Sequence, residues 1–356
     1  MFPEIKFTPA KKLKKKPEPG SPLPFGKIFT DHMFIMDYVK GQGWIHPRIE
    51  EYAPFLIEPS SMVFHYAQAV FEGLKAYRNP DASVSLFRPK LNFERMNLSN
   101  ERMAIPTVDV DFCVHALKEL VRIDQGWIPE GEGESLYIRP FVIATDPYVG
   151  VKASDTYRFM IILSPSGAYY AQGLNPVSIY VENVFVRAVK GGTGFTKCAG
   201  NYAASLAAQE IAHQKGYTQV LWLDGVEQKY IEEVGAMNIL FVMDGKVVTP
   251  ELNGSILSGI TRKSCLELAK SLNLTVEERK ISIDELMEAG QSGRLGEAFG
   301  TGTAAVISPV GELRYGDTVI TINDGKIGPI TQIFYDTITQ IQNGVREDTF
   351  HWIEKV

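Results

Sequence analysis

Apolar and polar positions follow two periods along this chain, and the switches between them mark its elements. Alternation around Met33, Phe34, Met36 and Tyr38 predicts a strand over 33–38, and short apolar runs predict others at 84–87, 136–144 and 158–163. Residues 62–77 are apolar with a break at Gly73. Helical spacing covers 91–103 through Leu91, Arg95, Leu98 and Arg102. It covers 111–123 through Phe112, Ala116, Leu117, Leu120 and Val121. These elements make a first α+β unit.

The Gly-, Pro- and Tyr-rich run PSGAYYAQGLNP, residues 165–176, predicts a domain connection near 165–185. Beyond it, strands are predicted over 177–181 and 219–223. A helix is predicted over 201–214, with Ala203, Leu206, Ala207 and Ile211 on one stripe. Asp244-Gly245 joins 238–243 to 246–249 as a hairpin with a type I′ turn. A helix over 261–272 follows, and Ser282 with Glu285 reads as a capping box. Pro329 opens a terminal helix carrying Ile330, Ile333, Phe334, Ile338 and Ile341. The expected organisation is a flexible basic, proline-rich arm (1–24), a small α/β domain (25–170), a linker (171–184) and a large cofactor-binding domain (185–356).

Composition narrows the function. At 356 residues the chain is long for one core. Its net charge of −6 gives no nucleic-acid footprint, and no apolar run spans a bilayer. The Lys-rich run Lys11, Lys12, Lys14, Lys15 and Lys16 has no apolar segment behind it, so it is no secretory signal and reads as a solvated arm. Three scattered cysteines (Cys113, Cys198, Cys265) form neither a metal site nor a disulfide framework. They point to a reducing, cytoplasmic setting. The histidines show no metal spacing.

The distinctive stretch is KGGTGFTKCAGNYAASLAAQ, residues 190–209. Gly191, Gly192 and Gly194 precede Lys197, and such a backbone holds an amine in one place. A fixed amine suits Schiff-base chemistry. The P-loop pattern fails, because Cys198 follows the lysine, and G-x-G-x-x-G fails because Lys197 takes the last glycine position. A Schiff-base lysine needs an electron sink, most commonly pyridoxal phosphate, with an acid or arginine at the pyridine nitrogen. Glu232 or Glu233 fits, and in an extended segment only one of the two faces the ring. The phosphate needs amides and a cation. Ser258-Gly259-Ile260-Thr261 opens a helix, Gly300-Thr301-Gly302-Thr303 offers a nest, and Arg95 is a helix arginine.

As a set, PFGKIFTDHM, FHYAQAVFEGLKAYR, LFRPKLNFERM, SLYIRP, FVRAVKGGTGFTKCAGNYAAS, QVLWLDG, YIEEVGAMN, NGSILSGITR and FGTGTAAVISP resemble the class IV aminotransferases of pyridoxal phosphate fold type IV. The likeness is greatest to branched-chain amino acid aminotransferases and runs from Phe25 to Ile341. It implies a two-domain α+β fold with mixed or barrel-like sheets. The implied reaction is transamination of L-leucine, L-isoleucine and L-valine with 2-oxoglutarate.

The resemblance also implies roles. Lys197 is the Schiff-base lysine, Glu233 faces the ring nitrogen, and Glu232 faces away. Arg95, Ile260, Thr261 and Thr303 form the phosphate cup. Tyr202 donates to the ring oxygen, and Arg187 supports the cofactor. Tyr66, Arg139 and the Ala304 turn receive substrate carboxylates, while Phe25, Phe71, Tyr137, Val151 and Tyr169 form the apolar pocket. Tyr66 and Val151 reach a neighbouring subunit's site, which implies a homodimer. Two departures stand out. Ala236, on the substrate side, replaces a threonine of vertebrate relatives, and Ala305 and Ser308 occupy the places of a vertebrate C-x-x-C. D-amino acid aminotransferases and aminodeoxychorismate lyases share the lysine, but lack the FTDHM and FEGLKAYR stretches in this form. A phosphate- or nucleotide-binding protein is the reading outside this class.

Overall fold

The computed structural model describes residues 2–167 and 174–356. Contacts divide the chain into two compact units. The first holds Met1–Ala171 with Thr196–Ala199 and Gln340–Val356, and the second holds Gln172–Phe195 with Gly200–Thr339. This differs from the linear division expected above, because the lysine segment and the C-terminal tail belong with the first unit.

In the first unit, β1 (Lys6–Phe7), β2 (His32–Val39) and β3 (Gly43–Glu51) lead to α1 (Met62–Tyr66), β4 (Ala69–Phe71), β5 (Leu74–Arg78) and β6 (Val84–Phe87). Then come α2 (Pro89–Arg102), α3 (Val110–Ile123), β7 (Ser135–Ala144) and β8 (Thr156–Ser166). The sheet order is β1-β3-β2-β8-β7-β5-β6, closed by Ile353–Lys355, with β4 on β7. Alternation along β7 decides its faces. Leu136, Ile138, Val142 and Ala144 join the core under α3, while Tyr137 and Arg139 take the opposite face. Asp109 caps α3 through the Phe112 amide at 2.8 Å.

The arm is largely exposed, as expected of a solvated segment, but it is tethered rather than loose. β1 pairs in parallel with β3, and the Ala10 amide donates to His32 Nε2 at 3.0 Å. Lys14 donates its amide to Asp31 at 2.7 Å and its ammonium to the Thr30 carbonyl at 2.6 Å. Strand pairing and specific acceptors therefore outweigh the disorder that its charge and prolines suggest.

The second unit contains β9 (Val177–Val181), α4 (Ala199–Gln214, from Gly200 onward), β10 (Gln219–Leu223), β11 (Ile231–Val234), β12 (Met237–Met243) and β13 (Lys246–Thr249). It continues with α5 (Ile260–Ser271), β14 (Val276–Glu278), α6 (Ile283–Gln291), β15 (Leu295–Gly302), β16 (Val306–Tyr315), β17 (Thr318–Thr321) and α7 (Pro329–Gln342, up to Thr339). The strands β11-β10-β9-β16-β15-β12 form a closed ring, because β12 also pairs with β11. Asp244 and Gly245 both have positive φ, as the I′ turn requires. The Ser282 hydroxyl accepts from the Glu285 amide.

Three expectations on faces and loops are corrected. The stripe Ala203, Leu206 and Ala207 of α4 is exposed, and its buried face is Asn201, Ser205, Ala208 and Ala212. Small residues let that face close on the sheet, so size outweighs hydrophobicity there. On α7, Phe334 and Ile338 are buried but Ile333 is exposed. Residues 300–302 form no nest. They continue β15, with Thr301 opposite Asn238 and Ile307, so the strand ladders claim this backbone.

Candidate active site

In the first unit, the backbone of Lys197 and its neighbour is fixed by contacts with β4 and α2. Its carbonyl accepts from the Phe71 amide at 3.0 Å, its amide donates to Ser99 Oγ at 3.0 Å, and Cys198 bridges to Val70. The ammonium lies 4.6 Å from the Phe71 ring centre, while the Arg139 guanidinium lies 4.7 Å from the same centre. Arg139 donates to the Tyr137 hydroxyl at 2.9 Å, and Phe25 meets Tyr137 edge-on at 4.7 Å. Gly73 is required by Tyr137, whose hydroxyl occupies the place of a Cβ. Arg139 Nε is buried without a hydrogen-bond partner, which suits an arriving anion.

Arg95 donates through Nε and Nη2 to the two oxygens of Glu72, each at 2.8 Å. Asn92 adds a bond to Glu72 at 2.8 Å. Burial pushes the Glu72 carboxyl up, but Arg95, Lys197 and Asn92 together outweigh it and hold it below the ordinary value. Glu72, Asn92 and Ser99 were not singled out from the sequence. Burial also lowers the Lys75 ammonium to about 8, on a residue paired with Tyr137 across β5 and β7. Tyr66 and Val151 are both exposed, and the Tyr66 hydroxyl donates to the Val149 carbonyl. Tyr169 lies outside the described residues.

In the second unit, Glu232 and Glu233 are both buried, because β11 pairs on both sides. Glu233 accepts from the Leu257 amide at 2.7 Å and from Asn238 at 3.4 Å, with Arg187 Nε 3.3 Å away. Arg187 also donates to the carbonyls of Gly194 and Ser255. Gly194 is obligatory, since a Cβ there would run into the Ser255 carbonyl and Ala188. Asn201 clasps Thr193 by two bonds of 2.7 and 2.8 Å.

The N-cap of α5 is Gly259, which has no side chain to bond the first-turn amides at Ile260 and Thr261. A helix start of this kind favours an anion. Tyr202 stands in the first turn of α4, while Thr303 and Ala304 follow the end of β15. Ala236 lies between β11 and β12. Glu233, Arg187, Ile260 and Thr261 thus share the second unit, while Lys197, Arg95, Phe71, Tyr137 and Arg139 share the first.

The family profile "Amino-transferase class IV" matches residues 69–313. The chain is 59% identical over 343 residues to branched-chain-amino-acid aminotransferase 2 of Bacillus subtilis (strain 168), covering 96% of this chain and 94% of that one. It is 58% identical over 353 residues to a probable branched-chain-amino-acid aminotransferase of Staphylococcus aureus (strain N315), covering 99% and 98%. Among solved structures it is similar to the Escherichia coli branched-chain amino acid aminotransferase, with TM-score 0.75, 27% identity and coverage of 90% and 98%. It also resembles the branched-chain aminotransferase of the thermophilic archaeon Thermoproteus uzoniensis with norvaline, with TM-score 0.75, 26% identity and coverage of 90% and 99%. The lysine on its strand bridge, the acid facing an arginine and the uncapped helix start are therefore those of a chain that belongs to the class IV aminotransferases.

Proposed function

We infer that the chain is a pyridoxal phosphate-dependent branched-chain-amino-acid aminotransferase, exchanging amino groups between L-leucine, L-isoleucine or L-valine and 2-oxoglutarate. The observation that carries this is identity of 57–59% over nearly the full chain to branched-chain enzymes. The donor sets of the two units fit the cofactor: an amine, an acid beside an arginine, and a helix start for a phosphate. When bound, pyridoxal phosphate supplies an aldehyde carbon and a ring that withdraws electrons.

Lys197 would hold the cofactor through its amine and would be the group that carries the transferred proton. Glu233 holds a proton at the ring nitrogen, with Arg187 in support. Ile260, Thr261 and Thr303 receive the phosphate with Arg95, and Tyr202 donates to the ring oxygen. Arg139, Tyr66, Ala304 and Ala236 serve the substrate carboxylates. The Arg139 fork suits the distal carboxylate of glutamate, because guanidinium pairs with carboxylate bidentately. Phe25, Phe71, Tyr137, Val151 and Tyr169 exclude water from a branched side chain, whose burial is worth about 1.5–3 kcal/mol. Exposure of Tyr66 and Val151 supports a homodimer in which they reach the partner's site. No helix of the described residues is long and apolar enough to cross a membrane, and a cytoplasmic enzyme is proposed.

A screen of L- and D-amino acids against 2-oxoglutarate tests the reading. Turnover confined to L-leucine, L-isoleucine and L-valine is expected. Preference for D-amino acids would overturn it.

A further inference from the structure

Next to the acid assigned to the ring nitrogen stands a second one whose hydrogen bonds do not balance. Glu232 is 2% exposed, and its Oε2 is buried with no hydrogen-bond partner. Its Oε1 contacts Ser255 Oγ and lies 3.4 Å from Asn253 Nδ2. Ser255 Oγ also lies 2.7 Å from Asn253 Oδ1. The Ser255 amide donates to that same Oδ1 at 3.0 Å, which fixes the orientation of the Asn253 amide. Ser255 Oγ therefore faces two acceptor oxygens and has one hydrogen to give. With that hydrogen on Asn253, a charged Glu232 would meet the hydroxyl as acceptor against acceptor.

We propose that Glu232 is a neutral, proton-bearing acid and a positioning residue: it donates to Ser255 Oγ, and so ties the loop 253–257 to β11. The proton completes the Ser255 contact, and the unpartnered Oε2 becomes a carbonyl, cheaper to bury than a carboxylate. Burial raises the Glu232 carboxyl above its ordinary value, with Ser255, Asn253 and Arg187 opposing and Asp224 reinforcing. Glu233 clasps the same loop two residues further on, at the Leu257 amide. The loop runs directly into Gly259, the N-cap of α5. Consecutive acids on one strand thus hold the segment that sets the place of the α5 amides. The effect on cofactor affinity rests on the proposed phosphate role of α5; the location of the proton does not.

Infrared spectra of the holoenzyme at neutral pH test the proton. A protonated-carboxyl band that disappears in Glu232→Gln and persists in Glu233→Gln is expected. Spectra of wild type and Glu232→Gln without that difference would overturn the proposal. Should Glu232→Gln not fold, Ser255→Ala must shift the band in an otherwise native protein, and an unshifted band counts against it. Pyridoxal phosphate titration, followed by absorbance, tests positioning. Glu232→Ala should bind about tenfold or more weakly. Glu232→Gln, whose amide can donate in place of the acid proton, should restore most of that loss. Equal losses in both variants, or none in Glu232→Ala, would overturn the positioning role. Thr261→Ala serves as the control: unaltered affinity there would fault the phosphate reading of α5, while the infrared result still judges Glu232.

Discussion

Each unit buries a glutamate beside an arginine, and the two pairs are built for different ends. Glu72 and Arg95 meet fork to fork at 2.8 Å twice, with Asn92 on the carboxylate. Arg187 Nε lies 3.3 Å from Glu233 Oε2 without making a hydrogen bond. Arg187 instead spends donors on the Gly194 and Ser255 carbonyls. A closed pair fixes its guanidinium in place and holds neighbouring elements, here β4, β5 and α2. A loose pair leaves the direction of its field to serve a third group. The closed pair supports the lysine, and the loose one suits a ring nitrogen.

The largest effect expected is at Lys197, the group whose positive charge helps depress the Glu72 carboxyl. Lys197→Ala should abolish turnover while the protein stays folded. Measurable transamination by a folded variant would break the assignment of the proton carrier to the first unit.

At the loose pair, Glu233→Ala should lower kcat by about 10²–10³-fold, the range seen when a preorganised electrostatic partner is removed. Glu232→Ala should lose less in kcat at saturating cofactor, because that acid acts through the loop. If Glu232→Ala proves the more damaging in kcat, the assignment of the two positions on β11 is reversed.

At the closed pair the effect should appear in stability. Glu72→Ala removes the carboxylate that the buried Arg95 guanidinium grips by two bonds, at a cost of about 3–5 kcal/mol. The pH dependence has a definite sign. The folded Glu72 carboxyl lies below its ordinary value of 4.5, so its contribution is present above that value and is lost as pH falls through the folded one. Glu232 has the opposite sign: its folded value is raised, so its contribution is full below 4.5 and fades as pH rises through the folded value. Urea midpoints between about pH 3 and 8 for wild type, Glu72→Gln and Glu232→Gln separate the two. Parallel pH profiles for the two variants relative to wild type would erase the distinction.

Much of this was legible in the sequence wherever one local rule decides. The strand over 177–181, the I′ turn at Asp244-Gly245, the Ser282 cap and the buried stripe of α3 agree with the structure. What period alone could not give were faces chosen by packing, such as Asn201 and Ser205 of α4 buried beneath an exposed Leu206. The tethering of the arm was hidden because its partners, His32, Asp31 and Ile49, lie far along the chain. At the site, the motif stretches carried Lys197 and Glu233. Glu72, Ser99, Asn238 and Ser255 were missed because a residue that positions another has no chemical signature of its own. The FEG triplet held a local hint, an acid beside a glycine whose missing Cβ leaves room for the Tyr137 hydroxyl.

The smallest effect concerns thiols, and it asks whether either unit carries a redox-sensitive group. Cys113, Cys198 and Cys265 are all free and buried. Burial pushes the Cys113 and Cys265 thiols well above the ordinary range, so neither offers much thiolate to an oxidant. Cys198 follows Lys197 directly, but it belongs to the first unit's apolar core and bridges to Val70 through its backbone. Ala305 and Ser308, both buried, stand where a C-x-x-C would be needed, so no disulfide can form there. Mild peroxide should therefore leave activity nearly unchanged, with nothing for a dithiol to restore. The measurement is an assay before peroxide, after it, and again after dithiol. A large loss that dithiol reverses, and that Cys198→Ala abolishes, would place a reactive thiol beside the lysine and make the first unit, not the second, the oxidation-sensitive half.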